Sequence, residues 1–186
     1  MDDLKIIESC LMGNADIFSH LIDKYKNMVY DLAYRMCNNS HEAEDISQEA
    51  FLRSYQALSR FNPQYKFSTW LYQVTLNIIR DRFKKKTIKS VSLDAPVTSN
   101  DSDYFHQPED SSYNPEEIFT QQEKARRIQQ AILSLSVKYR EVTVLRHFKD
   151  LSYIEIASIL KIPSGTVKIR LYRAREKLKE MLKDSQ

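Results

Sequence analysis

The chain has 186 residues, 42% of them apolar, and a formal net charge of +3, which suits one or two small globular domains. With only two glycines and five prolines, and aliphatic residues recurring at spacings of three and four, the composition predicts an all-α fold. No apolar run approaches the ~20 residues that cross a bilayer, and the N-terminus lacks a signal-peptide pattern, so we expect a cytoplasmic protein without membrane insertion.

Three helices are predicted before residue 87. The first covers about 15–36 and the second about 41–59, with Ser40 as its N-cap. Acidic side chains open the second helix, where they suit the helix dipole or form an ordinary solvated first turn: Glu42, Glu44, Asp45 and Glu49. The third covers about 68–86, with Ser68 as its N-cap, and four residues follow one another on one side of it: Leu71, Val74, Ile78 and Arg82.

Aromatic and basic residues alternate between residues 61 and 86. Single-stranded nucleic acid is held by such surfaces, because bases stack on the rings for ~1–3 kcal/mol each while cations follow the phosphates. The alternative is that these rings form a core. We assign Phe67 and Trp70 to packing, and we expect Phe61 and Tyr72 to be exposed.

Residues 88–114 lack apolar periodicity and are predicted to be a flexible linker. Seven acidic residues and no Lys or Arg occur from residue 90 to residue 118, so like-charge repulsion extends the segment. This interpretation divides the chain into a domain at 1–87, the acidic linker at 88–114 and a second domain at 115–186.

The second domain is predicted to contain helices at about 115–133 and 137–148, followed by a helix-turn-helix. Pro115 suits the first position of its helix. Ser152 and Glu155 have the spacing of a capping box, and an apolar face is predicted for the helix that follows: Ile154, Ala157 and Leu160. Pro163 ends that helix, and Ser164 caps the next one.

The last helix is strongly basic. Between residues 161 and 179 it carries seven basic residues and one acidic residue. The alternative is a solvated surface helix, but this charge follows directly on a capped helix and a tight turn. That arrangement favours a recognition helix with apolar anchors behind and cationic donors in front.

The chain has an aromatic and basic segment at 61–86 followed by a basic helix-turn-helix. In this order, the two features resemble those of the bacterial extracytoplasmic-function (ECF, group 4) sigma factors of the sigma-70 family. Four segments carry the resemblance over nearly the whole chain: Glu44-Asp-Ile-Ser-Gln-Glu-Ala-Phe51, Lys66-Phe-Ser-Thr-Trp-Leu-Tyr72, Val91-Ser-Leu-Asp-Ala-Pro96 and Pro163-Ser-Gly-Thr-Val167. It implies an initiation factor that directs core RNA polymerase to promoters and promotes strand opening in a stress or envelope response.

The resemblance also implies roles for individual residues of the first domain, region 2. The clamp helices of the polymerase β′ subunit would be bound by Asp45, Gln48 and Glu49. One base of the −10 element would be flipped out and captured, and the backbone of the element would be held by basic side chains. The residues implied for the −10 contact are Ala57, Phe61, Asn77, Arg80 and Lys84.

The second domain would be region 4, which contacts the β flap and reads the −35 element. The residues implied for the −35 contact are Ser164, Thr166, Lys168, Ile169, Arg170, Tyr172, Arg173 and Arg175. Ile169 stands where relatives often have a small polar residue, which suggests contact with a thymine methyl group or with the polymerase. The partners implied are core polymerase, duplex and single-stranded promoter DNA, and an anti-sigma factor.

Two other function classes compete with this interpretation. A stand-alone helix-turn-helix regulator would need only the last two helices, but it leaves the acidic helix and the aromatic segment unexplained. A nucleic-acid enzyme would need a metal-binding carboxylate cluster or a positioned nucleophile. The four histidines are scattered, and Cys10 and Cys37 lie in no Cys/His cluster, so we expect no catalytic residue, metal or cofactor.

Overall fold

The computed structural model describes residues 2–90 and 115–183, which we call the N-terminal and C-terminal halves. Within these ranges the chain forms α-helices and no strand, and the prediction of an all-α fold is confirmed. The helices are α1 (Asp3–Leu11), α2 (Ser19–Cys37), α3 (Ser40–Gln56), α4 (Phe67–Ser90), α5 (Pro115–Ser134), α6 (Val137–His147), α7 (Tyr153–Leu160) and α8 (Ser164–Lys183). Short 3-10 turns precede α2 and follow α3, at Ala15–Phe18 and Leu58–Arg60.

Helix α1 was not predicted from the sequence. It buries Ile6, Ile7 and Cys10 against the rest of the N-terminal half. Its Asp3 carboxylate accepts hydrogen bonds from Lys24 Nζ (2.6 Å) and from the Tyr25 hydroxyl (2.5 Å). A helix of 9 residues is marginal alone, so these tertiary contacts, and not a strong local pattern, hold it.

Three predicted helix starts are wrong by one residue. Ser164, predicted to cap the last helix, is already the first residue of α8. Asn39, and not Ser40, caps α3, and its Oδ1 accepts a hydrogen bond from Glu42 N at 2.7 Å. Helix α4 begins at Phe67, so Ser68 is already helical. The same helix continues to Ser90, so the first residues of the expected linker are helical, whereas residues 91–114 lie outside the described ranges.

The capping box before α7 is present as predicted. Ser152 Oγ accepts a hydrogen bond from Glu155 N at 3.3 Å, and Ser152 N donates one to Glu155 Oε2 at 2.9 Å. The bond from Ser152 N, and a second one from Ser152 Oγ to Glu155 Oε2 at 2.8 Å, lower the pKa of the Glu155 carboxyl group. Helix α7 therefore starts at a position that the local sequence specifies.

We expect Ser152→Ala to lower the free energy of unfolding by about 1 kcal/mol at neutral pH, because the cap is lost. A carboxylate with a lowered pKa adds stability above its ordinary pKa, and this stability is lost as the pH falls through the lowered value. The difference between the variant and the parent protein should therefore shrink on acidification in urea unfolding experiments. Ser136→Ala is the control, since Ser136 caps α6 without a side-chain hydrogen bond. Equal effects of the two substitutions would contradict the assignment.

The predicted apolar face of α7 is partly wrong. Ile154 is 77% exposed, whereas Ile156, Ile159 and Leu160 are buried. A helix of 8 residues makes little more than two turns, so several alternative stripes fit its apolar sequence equally well. Packing against α4 and α8 selects among them.

One hydrophobic core runs through both halves of the chain. It joins buried residues of α2, α3 and α4 to Ile132, Val144 and Ile156 of the C-terminal half. Helix α4 packs against α7, and α2 packs against α6. Arg140 reinforces this contact by donating a hydrogen bond from Nη1 to the carbonyl oxygen of Met36 at 2.6 Å. The two halves therefore pack against each other in the described arrangement.

Candidate nucleic-acid interface

Helix α8 has one buried face and one exposed face. Val167, Leu171 and Ala174 lie at helical spacing and are buried. Of the residues predicted to contact the −35 element, most have exposed side chains: Ser164, Lys168, Ile169, Tyr172, Arg173 and Arg175. Thr166 and Arg170 are half-buried at the edges of the same surface. By helical geometry, Ile169, Tyr172 and Arg173 lie opposite the buried face.

The turn before α8 orients this surface. Lys161 ends α7 in the left-handed conformation (φ 53°), and its N–H donates to the carbonyl oxygen of Ala157. Pro163 then accepts a hydrogen bond from Thr166 N at 2.9 Å as α8 starts at Ser164. The predicted break at Pro163 is confirmed, and the short turn brings the apolar faces of both helices to the core.

Two of the predicted DNA-contacting arginines have neighbours on α6. A hydrogen bond from Arg173 lowers the pKa of the Tyr139 hydroxyl. The pKa of His147 is lowered by burial first and then by the positive charges of Arg175 and Arg146. Arg173 therefore lies beside Tyr139 of α6, while Arg175 lies on the flank that faces His147.

The expected exposure of Phe61 and Tyr72 is wrong. Phe61 is 9% exposed and Tyr72 is 6% exposed. The segment before α4 folds back so that the Phe61 ring contacts Phe67 (centroids 5.8 Å apart) and Trp70 (5.4 Å). Phe67 is buried as predicted, and Trp70 is half-buried.

Helix α4 is buried on more sides than one amphipathic stripe allows. Leu71, Leu76, Ile78 and Ile79 are all buried, because α2 and α3 pack on one side and α7 on another. Burial, with a smaller contribution from Asp31, raises the pKa of Tyr72 to about 12. The stacking platform predicted for single-stranded nucleic acid is thus mostly core, and Tyr65, 54% exposed, is the most exposed ring of this segment.

The remaining candidates for the −10 contact differ in their surroundings. Asn77 and Lys84 are exposed, and Ala57 is half-buried after the end of α3. Arg80 is engaged: its Nη1 donates to Asn77 Oδ1 at 3.1 Å, and its guanidinium group pairs with Glu141 of α6.

Much of the basic end of α4 is neutralised by the acidic side of α3. Arg82 Nη2 lies 2.7 Å from Glu49 Oε2, and Lys86 Nζ lies 2.7 Å from Glu42 Oε2. Arg53 also pairs with Glu49 at 2.5 Å. These bonds, the one from Arg82 first, lower the pKa of Glu49. The Glu49 carboxylate therefore already forms ion pairs within the chain, with Arg53 and Arg82.

Two of the three residues predicted to bind polymerase are freely presented. Asp45 has a side chain that is 70% exposed and lies 4.0 Å from Arg82 Nη1, at the limit of an ion pair. Gln48 is exposed one turn further along α3. The two side chains follow one another on the same side of the helix.

Next to Gln48 lies an apolar groove of about 500 Å³ that the sequence interpretation missed. Its walls come from α2, α3 and the 3-10 turn before α2, and they include Phe18, Ile22, Phe51, Leu52 and Tyr55. Leu52 is 57% exposed at its edge. The signal in the sequence was Leu52, an apolar residue on the outward side of a helix that is rich in acidic residues.

Two kinds of feature are absent from the described residues. In residues 2–90 and 115–183, no three or more His, Cys, Asp or Glu side chains group into a site that could hold a metal ion. No helix in these ranges is both long enough and apolar enough to span a bilayer.

Comparisons with known proteins identify both halves. Residues 21–88 match the family model for sigma-70 region 2, and residues 125–178 match the model for sigma-70 region 4. The ECF RNA polymerase sigma factor SigW of Bacillus subtilis is 44% identical over 181 residues, covering 97% of this chain and 96% of SigW. The chain belongs to the ECF sigma factors of the sigma-70 family.

A further relative agrees with this assignment, and a solved structure has a similar fold. The RNA polymerase sigma-H factor of Pseudomonas aeruginosa is 32% identical, covering 97% of this chain and 93% of that protein. The fold is similar to that of the sigma factor RpoE of Bartonella quintana, solved with the anti-sigma factor NepR, with a TM-score of 0.69, 21% identity and coverage of 91% and 98% of the two chains. This ECF sigma factor acts in transcription initiation, and its two domains imply binding to core RNA polymerase and promoter DNA. The family is one of initiation factors and not of catalytic enzymes.

Proposed function

We propose that this chain is a group 4 ECF sigma factor whose N-terminal half binds the −10 element and whose C-terminal half binds the −35 element. The observation that carries the proposal is the outward face of α8, where exposed cations surround Ile169 and Tyr172 while Val167, Leu171 and Ala174 anchor the helix. A recognition helix in the major groove requires this division. The exposed Arg173 and Lys168 would contact base edges or phosphates.

For the −10 element we assign base capture to Asn77, whose exposed amide can donate to and accept from a base edge. Arg80 and Lys84 would bind the DNA backbone, and Ala57 would line the pocket. Phe61 is not assigned a stacking role, because its ring is buried in the described arrangement. Each half binds weakly, and core polymerase sets the spacing at which both bind together.

We propose that α3 binds the β′ clamp helices, with Asp45 and Gln48 at the polar edge and the groove beside Leu52 receiving apolar side chains. Region 4 would contact the β flap. An anti-sigma factor is a further proposed partner, since the sigma factor RpoE of Bartonella quintana was solved with one. From the same family assignment we propose a role in a stress or envelope response and action in the cytoplasm.

The decisive test is run-off transcription from a genomic promoter library with core RNA polymerase and the purified chain. We expect transcripts from promoters that share a two-part motif, and only when the chain is added. Sequence-specific binding to duplex DNA by the chain alone, without stimulated transcription, would favour the stand-alone regulator instead.

We expect Asp45→Lys to weaken binding to core polymerase roughly tenfold, about 1.4 kcal/mol, because it places a cation on an acidic docking surface. Glu44→Lys makes the same change of charge at the adjacent exposed position, which faces about 100° away around the helix. Binding measured by fluorescence anisotropy of the labelled chain should be much less affected by this control. Equal losses would mean that net charge, and not the proposed surface, drives the association.

A further inference from the structure

Arg80, proposed to bind the −10 backbone, is held by a carboxylate from the other half of the chain. Its Nε lies 2.5 Å from Glu141 Oε1, and its Nη2 lies 2.9 Å from Glu141 Oε2. Two parallel bonds between guanidinium and carboxylate are a strong and geometrically selective pairing. The Glu141 side chain is only 3% exposed, whereas that of Arg80 is 37% exposed. The pair thus neutralises a buried charge that would otherwise be costly.

Other polar contacts join the same two halves. Gln73 Nε2 of α4 donates to the carbonyl oxygen of Ser158 in α7 at 3.0 Å. Lys149 Nζ, on a side chain 10% exposed, lies 3.3 Å from Asp31 Oδ2 of α2. Together with the shared core, these contacts make the packed arrangement a specific one.

This packed arrangement is too small to occupy both promoter elements. Their names place them about 25 base pairs apart, or roughly 85 Å at 3.4 Å per base pair. A compact chain of this length has a radius of gyration of about 16 Å, and so spans about 40 Å. The segment from residue 91 to residue 114 is long enough to reach about 80 Å when fully extended. Binding to both elements therefore requires the two halves to separate.

We propose that the Arg80–Glu141 pair is an autoinhibitory contact, in which the Glu141 carboxylate occupies the place of a DNA phosphate on Arg80. Carboxylate and phosphate oxygens match the guanidinium group in the same bidentate way, so the two ligands exclude each other. Core polymerase, by holding the halves apart, frees Arg80 and the neighbouring Asn77 for promoter DNA. This inference rests on the proposed function of Arg80.

The test compares Glu141→Gln with Glu123→Gln in the full-length chain. Both substitutions remove one acidic charge, but Glu123 pairs within α5, with Arg127 at 2.9 Å. The packed state is followed by zero-length carbodiimide cross-linking of Lys66 to Glu155, which lie 3.7 Å apart in different halves, with quantification by mass spectrometry. In parallel, transcription with core polymerase is measured at limiting chain, where activity reports the competent fraction.

We expect Glu141→Gln to reduce this cross-link and to raise transcription at limiting chain roughly three- to tenfold, a range that allows for the partial exposure of Arg80. Glu123→Gln should change neither. Asp31→Asn provides a second variant. Asp31 is half-exposed, and in the packed state its carboxylate pairs with the largely buried Lys149 of the other half. The substitution removes this pairing and so destabilises the packed state. It should change both readouts in the same direction.

An unchanged cross-link in Glu141→Gln would overturn the proposal, as would a lost cross-link without increased transcription by a folded variant. In both cases transcription by the parent chain would leave the proposed function intact. Absence of transcription with the parent chain and all variants would overturn the proposed function, and the inhibitory role of the pair with it.

Discussion

Replacing Phe67 with alanine should lower the free energy of unfolding by about 3–5 kcal/mol, the usual range for a buried phenylalanine. Phe67 is 2% exposed, and its ring contacts Tyr25, Phe61 and Trp70 at centroid distances of 5.6, 5.8 and 5.7 Å. The ring joins α2, the segment before α4 and α4 itself. Since whole domains are stable by only about 5–15 kcal/mol, this loss would weaken the entire N-terminal half.

Urea unfolding followed by far-ultraviolet circular dichroism measures this loss. Tyr65→Ala is the control, because it removes another ring from the same segment at a position that is 54% exposed. The control should change stability by no more than about 0.5 kcal/mol. If Phe67→Ala were as mild as Tyr65→Ala, the aromatic cluster would not be part of the core of the N-terminal half.

Arg173→Ala should reduce transcription from a promoter with an intact −35 element roughly 5- to 150-fold. This range corresponds to the loss of about 1–3 kcal/mol for one bidentate base contact. Arg173 lies opposite the buried face of α8, and its interaction with the Tyr139 hydroxyl lowers the pKa of that group. The variant should also discriminate less between base pairs at one position of the −35 element, as measured with a panel of single-base-pair substitutions.

Lys84→Ala is the matched comparison, since Lys84 is an exposed cation of α4 for which we propose a backbone contact. It should weaken binding equally on all promoters and reduce the slope of log affinity against log salt by about 1. Full discrimination at every −35 position by Arg173→Ala would remove Arg173 from the recognition surface. Thermal melts of the variant exclude a loss of folding through the contact with Tyr139.

The elements predicted best are those that local sequence specifies. Ser152 and Glu155 form the capping box before α7, Pro163 breaks the helix where predicted, and α5 begins at Pro115. Caps and prolines act within one turn of backbone, so their effect can be predicted without knowing the remaining fold. The family resemblance was likewise carried by short sequence segments in a fixed order along the chain, and the family assignment is confirmed.

The errors occurred where burial depends on distant partners. Phe61 and Tyr72 are expected at the surface, but both are buried, and the Phe61 ring packs on Phe67 and Trp70. Ile154 was expected in the core, but the orientation of α7 exposes it. A pattern of apolar residues predicts that a helix has a buried side, but it does not predict how many other helices pack against it.

The sequence by itself determined the helical class, the helix-turn-helix and the basic character of α8, because propensity, capping and charge are properties of adjacent residues. Only the tertiary structure decided which charges are available. It placed Arg82 on Glu49, Lys86 on Glu42 and Arg80 on Glu141, 61 positions away in the chain. Coulombic pairing and burial depend on distance in space, so a cation that looks free in the sequence is engaged once the helices pack.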